Sequence, residues 1–195
     1  MSSPELTVLG LCGSLRPGSL TLKALETVLA AAQGTGARTE ILSGERMRLP
    51  LCDGRPPGEA PPEVAALFRQ VEEAGALVLA TPDYCGSLSG ALKNALDWLA
   101  PNGLAGKAVG VVSVAGGASA EGSLTALREI CLRQAAWVVP VPAAVPLSNE
   151  VFGNPEAPFA RTLLDLLQSL GRALPEAARL LAGWETVVGD VRYRV

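Results

Sequence analysis

Three stretches of this chain are apolar almost without interruption: Leu6–Cys12 (LTVLGLC), Ala76–Ala80 (ALVLA) and Ala108–Val114 (AVGVVSV). A strand with one wet face alternates polar and apolar residues, whereas a parallel strand covered on both faces does not. Between these stretches the apolar spacing is helical. Leu22, Leu25, Leu29 and Ala32 recur on one face until Gly34 and Gly36 stop the pattern. Arg38–Ser43 reads as a second, less buried strand. The Pro/Gly-rich loop Pro50–Pro62 then leads into a helix with Val64, Leu67, Phe68 and Val71 on one face, and Pro61 and Pro62 suit its first turn. Gly90–Ala100 gives a short helix with Leu92, Ala95, Leu96 and Leu99 inward, and Leu124, Leu127 and Cys131 form the stripe of another. Trp137–Val141 is a fifth strand, placed at a sheet edge because Pro140 and Pro142 cannot donate to a ladder. A last helix, about 157–174, aligns Leu163, Leu167, Leu170 and Leu174.

Strands alternating with helices imply a doubly wound, five-stranded parallel α/β sheet. The 195 residues contain no repeat, linker or low-complexity segment, so a single domain over 1–195 is expected. Hydrophobic residues make up 49% and aromatics only 4%, so Leu, Val and Ala must fill the core. Sheets of this kind bind ligands beyond the carboxyl ends of their strands, where the strand order reverses. The loops after the first, third and fourth strands are therefore the places to search.

What the chain lacks narrows the chemistry. It contains no His, which removes His-dependent triads, His acid–base catalysis and most zinc or non-haem iron sites. The four cysteines, Cys12, Cys52, Cys85 and Cys131, form no CxxC pair, and three or four of them are expected to be buried small hydrophobes. If the chain is an enzyme, a cofactor must bring most of its chemistry. The net charge of −3 and the absence of a basic run argue against a nucleic-acid partner. No apolar stretch is long enough to span a bilayer, and the N-terminus has no basic region before its apolar run, so a cytoplasmic protein is expected.

The first loop, Gly13-Ser14-Leu15-Arg16-Pro17-Gly18-Ser19-Leu20-Thr21, surrounds a helix N-terminus with hydroxyls, glycines and one arginine. Such a site favours an anion, although Ser19 or Thr21 could serve only as a cap and Arg16 could be merely solvated. The second, Thr81-Pro82-Asp83-Tyr84-Cys85-Gly86-Ser87-Leu88-Ser89-Gly90, and the third, Ala115-Gly116-Gly117-Ala118-Ser119-Ala120-Glu121-Gly122, are nearly free of bulk. Both could be ordinary turns. Three such loops on one rim look more like a backbone cradle for a flat ligand.

The pattern Gly13-Ser14-Leu15-Arg16-x-x-Ser19, followed by Pro82-Asp83-Tyr84 and Gly90-x-Leu92-Lys93-Asn94-Ala95-x-Asp97-Trp98, resembles the NADPH-dependent FMN reductase family, which includes quinone, chromate and azo-dye reductases. The resemblance runs from residue 6 to about residue 142. It implies a flavodoxin-like three-layer sandwich of strand order 2-1-3-4-5 and an FMN cofactor reduced by NADPH or NADH. It also implies a small-molecule electron acceptor: a quinone, an azo compound, a metal oxyanion or free flavin. By the same resemblance Ser14, Arg16, Ser19 and Thr21 would hold the FMN phosphate. Pro82, Asp83, Tyr84, Cys85, Gly86 and Ser87 would lie along the ring, with Gly116 and Gly117 over its edge. No side chain is assigned a catalytic role, and no metal site is expected.

Two residues depart from the family pattern. Thr21 and Cys85 stand where Asn is usual, and Cys85 cannot copy an amide's paired donor and acceptor. Trp98 reads first as a packing residue. In the family its helix lies in a subunit interface, which implies a homodimer or homotetramer. Trp137 and Trp184 are assigned to packing in the core and at the surface. The competing reading is a non-enzymatic FMN electron carrier of flavodoxin type, which usually lacks an arginine in its first loop and flanks the ring with aromatics and acids. Arg16 and a solitary Tyr84 do not suit that pattern.

Overall fold

The computed structural model describes residues 6–188, with side chains through residue 183, so Trp184 lies outside the described side chains. Strands β1 (Thr7–Cys12), β2 (Arg38–Leu42), β3 (Ala76–Pro82), β4 (Ala108–Val114) and β5 (Trp137–Val138) form a parallel sheet in the order β2-β1-β3-β4-β5. A sixth strand, β6 (Ala143–Val145), also pairs with β4. The helices are α1 (Leu20–Gln33), α2 (Pro62–Glu73), α3 (Gly90–Leu99), α4 (Glu121–Arg133), α5 (Ser148–Gly153) and α6 (Pro158–Val188).

The continuous apolar strands sort their side chains between two layers. On one face Val8, Cys12, Ala76, Val78, Ala80, Ala108 and Val112 meet α1 and α6. On the other, Leu9, Leu11, Leu77, Leu79, Val109 and Val111 meet α2, α3 and α4. The first face is built of small residues, and two glycines bring its helices closer still. A Cβ on Gly10 would lie 2.8 Å from Leu25 Cδ1, and one on Gly110 would lie 3.1 Å from Leu170 Cδ1. Leu residues fill the wider space on the second face. This is period-two patterning by size rather than by polarity.

Three expectations need correction. The fifth strand is two short pieces rather than one. Trp137–Val138 pairs low on β4 and Ala143–Val145 high on it, because Pro140 and Pro142 have no N–H for the ladder between them. The last helix does not stop at Leu174; it carries Pro175 internally and continues to Val188. Pro175 is buried, and Leu174 and Ala178 beside it pack into the core. That burial offsets the lost backbone bond, which otherwise costs ~3 kcal/mol or more. Of the cysteines only Cys12 and Cys131 are buried; Cys52 is half-buried and Cys85 exposed. Trp137 is 54% exposed at the sheet edge.

Candidate functional site

The order in which strands are added reverses between β1 and β3: β2 lies outside β1, and β4 lies beyond β3. The loops that follow β1, β3 and β4 share this rim. Hydrogen bonds join them into one piece. Gly13 N donates to Ala80 O at 2.7 Å, and Ser89 Oγ donates to Gly13 O at 2.7 Å. Asp83 N donates to Val114 O at 2.8 Å, and Leu147 N donates to Gly117 O at 2.8 Å. Ser89 is the hub, since it also caps α3 by accepting from Leu92 N at 3.3 Å, and its own N–H donates to Thr81 Oγ1 at 2.9 Å. Thr81 and Ser89 were not among the expected site residues. Their signal was present as a hydroxyl on each side of the second loop, but a hydroxyl there reads equally as a turn residue.

In the first loop Ser19 is the N-cap of α1 and accepts from Leu22 N at 3.1 Å. Ser14, Ser19 and Thr21 are all buried at the mouth of the helix, and Ser14 Oγ accepts from Arg16 N at 3.4 Å. Gly18 takes φ +62°, which only glycine adopts without strain. The first-turn N–H groups of Leu20 and Thr21 have no intrahelical acceptor. Arg16 is exposed, and its guanidinium enters no ion pair among the described residues. Behind the loop, burial pushes the Cys12 thiol up, so it stays protonated and hydrogen-bonds Ser14 O at 3.8 Å.

The second loop is a tight hairpin. Tyr84 and Ser87 exchange backbone hydrogen bonds of 2.9 and 3.1 Å across the two-residue turn Cys85-Gly86. Both central residues have positive φ, +55° and +76°, which is the signature of a type I′ turn. Tyr84 is 53% exposed beside it. Asp83 points back into the protein. Its Oδ1 accepts from Gly86 N at 2.9 Å, and its Oδ2 accepts from Ser123 N at 3.2 Å and Ser123 Oγ at 2.8 Å. With both oxygens so engaged, Asp83 is a half-buried, internally bonded carboxylate. In the third loop, a Cβ built on Gly116 or Gly117 meets nothing within 4 Å, so the rim there is an open shelf.

Trp98 is buried, and its Nε1 donates to Pro50 O at 2.8 Å. Asn94 beside it accepts from Cys52 N at 2.9 Å and donates to Leu49 O at 3.2 Å and Pro50 O at 2.9 Å. The two residues fasten the loop after β2, so the exposed aromatic that would have marked a subunit contact is absent from this helix. The fastened loop exposes Leu51 instead, at 83%.

A family model described as NADPH-dependent FMN reductase matches residues 6–150. An NAD(P)H:quinone oxidoreductase of Solanum tuberosum is 37% identical over 133 residues, covering 66% of this chain and 69% of that protein. A quinone reductase of Escherichia coli K12 is 36% identical over 115 residues, 55% of this chain and 58% of that one. Among solved structures, the flavoenzyme NAD(P)H:(acceptor) oxidoreductase FerB from Paracoccus denitrificans superposes with a TM-score of 0.68 at 25% identity, covering 87% of this chain and 98% of that one. The fold is thus flavodoxin-like, and the chain belongs to the NADPH-dependent FMN reductase family as an NAD(P)H-dependent, FMN-containing oxidoreductase.

Proposed function

We propose that the rim holds one FMN, its phosphate at the first loop and its ring along the second and third, and that the chain passes electrons from NADPH or NADH to a quinone. The observation that carries this reading is the hydrogen-bonded union of three bulk-free loops above the β1/β3 junction. The donor set suits the group. An FMN phosphate carries nearly two negative charges at neutral pH, and Ser14, Ser19, Thr21, the free N–H groups of α1 and the Arg16 guanidinium are all donors. Pro82, Tyr84, Cys85, Gly86, Ser87, Gly116 and Gly117 are the ring contacts of this reading, and the open shelf at Gly116 and Gly117 leaves room for a nicotinamide to approach. Asp83 moves from ring contact to support.

FMN, when bound, supplies hydride acceptance and electron delivery. The chain's residues bind and orient. No His is present, and the Asp83 carboxylate is engaged, so neither offers a free acid or base at the rim. A quinone is the acceptor of choice because the relatives in potato and Escherichia coli are named for that activity. Azo compounds, metal oxyanions and free flavin would use the same slot. Among the described residues no helix is long and apolar enough to cross a membrane. We read the chain as one cytoplasmic domain that works as a homodimer or homotetramer, with the exposed Leu51 on its fastened loop as the apolar contact.

Titration of the purified protein with FMN and with riboflavin tests the site. FMN should bind one per chain and far more tightly than riboflavin. Equal affinity for the two would remove the phosphate role from the first loop.

A further inference from the structure

We propose that Asp83 is a positioning residue: it is the N-cap that α4 lacks in its own sequence, and it thereby locks the Tyr84–Ser87 hairpin in the shape that the flavin ring meets. The second half of this statement rests on the FMN reading above.

Helix α4 begins at Glu121 with Ala120 at its cap position; Ala120 has no side-chain acceptor, and Ser119 Oγ takes only the first N–H, that of Glu121, at 3.4 Å, leaving the second and third without a local side-chain partner. Uncapped helices leave their first N–H groups without partners, and a side-chain oxygen at the cap ordinarily takes the second or third. Here the third, that of Ser123, donates to Asp83, forty residues earlier and on a different loop. The Ser123 hydroxyl donates to the same oxygen. Because that hydroxyl's proton is spent on Asp83, the Ser113 hydroxyl of β4, 2.5 Å away and fully buried, must donate to Ser123 Oγ. The other oxygen of Asp83 takes the Gly86 N–H inside the hairpin turn. A carboxylate at a helix N-terminus is also favoured by the helix dipole. One side chain therefore ties β4, the start of α4 and the turn together.

The hairpin needs this support. It is a single bridge closed by a two-residue turn, and a lone hairpin has little stability of its own. Its first turn residue, Cys85, sits in the left-handed region at φ +55°, which costs a non-glycine residue free energy. The packing tells the same story. Gly122 lies so close under the turn that a Cβ there would be 2.3 Å from Gly86 O, so the helix backbone is the floor on which the hairpin rests.

The test compares wild type with Asp83→Asn, which keeps the shape but loses the charge and one acceptor oxygen, and with Gly122→Ala, which keeps Asp83 and lifts the turn off its floor. In the apo protein, Asp83→Asn should speed amide exchange at Gly86 and Ser123 by about tenfold or more, the scale of losing a bond to a charged group, and leave β1 and β3 unchanged. Both variants should weaken FMN binding by about tenfold or more on the same scale, and should alter the visible circular dichroism of FMN-saturated protein. Should Asp83→Asn fail to fold, Ser123→Ala removes the hydroxyl bond to Asp83, together with the Ser113 contact behind it, but keeps the carboxylate and the Ser123 N–H bond, and should shift the same readouts in the same direction. A lowered melting temperature with FMN affinity and ring dichroism unchanged would make Asp83 merely structural and overturn the proposal. So would unchanged exchange at Gly86 and Ser123. Wild-type protein that binds no FMN would instead refute the FMN reading, while the exchange data would still decide whether the cap exists.

Discussion

The Cys85→Asn substitution should stabilise the protein, and its size can be worked from the turn. Cys85 is exposed and holds φ +55° between the two backbone bonds of the Tyr84–Ser87 bridge. An ordinary L-residue pays roughly 1–2 kcal/mol to sit in the left-handed region, whereas Asn tolerates it through local hydrogen bonding. Recovering about half of that cost gives about 0.5–1 kcal/mol, since Asn-Gly is the favoured pair for a type I′ turn. For a chain of this size 1 kcal/mol moves the melting temperature by roughly 2–4 °C, so a rise of about 1–4 °C is expected. The counterpart is Cys85→Val, whose β-branched side chain is disfavoured at positive φ and should lower stability by about 1 kcal/mol or more. Thermal unfolding of the reduced apo protein separates the three. If Asn and Val melt together with wild type, the turn does not carry the strain assigned to it, and the account of the hairpin fails.

Arg16→Ala should weaken FMN binding by about 1.5–3 kcal/mol, the worth of a bond to a charged group, and leave riboflavin binding unchanged; a loss of less than about threefold by fluorescence titration would mean that Arg16 is merely solvated. Asn94→Ala strips three hydrogen bonds from the 49–52 loop and should cost about 2–3 kcal/mol, with faster tryptic cleavage at Arg48; unchanged cleavage would show that Trp98 holds the loop alone. Burial pushes the Cys131 thiol from its usual 9.0 up to about 12, so the folded state holds this proton after the unfolded state has released it. The stability tied to it is present below pH 9 and is lost as pH rises toward about 12, and Cys131→Ala should flatten that alkaline decline in melting temperature.

The parallel sheet was legible because β1, β3 and β4 are apolar on both faces, and the α1 cap because Ser19 precedes a helical stripe. Of the first-loop hydroxyl residues, Ser14, Ser19 and Thr21 are buried, and Ser19 caps α1. The division of the fifth strand was half visible. Pro140 and Pro142 marked an interruption, but pairing that resumes at Ala143 depends on the register against β4, which no local pattern contains. The last helix, expected over about 157–174, runs on through Pro175, which local pattern does not foretell because a proline ends most helices unless tertiary burial offsets it. The type I′ turn was hidden because Cys is not a turn residue. Reading Cys85 only as a lost amide missed that the position first demands a left-handed backbone. Asp83, Ser113 and Ser123 could not be joined from the sequence, because a cap supplied forty residues away leaves no spacing to find.

The central claim is that this chain reduces bound FMN with a nicotinamide and hands the electrons to a small acceptor. The direct measurement is anaerobic mixing of FMN-loaded protein with NADPH or NADH, followed by a quinone. The yellow oxidised flavin should bleach within seconds of adding at least one nicotinamide and return when the quinone is added. Flavin that stays yellow with both nicotinamides, yet bleaches with dithionite, would contradict the account and leave an electron carrier in its place.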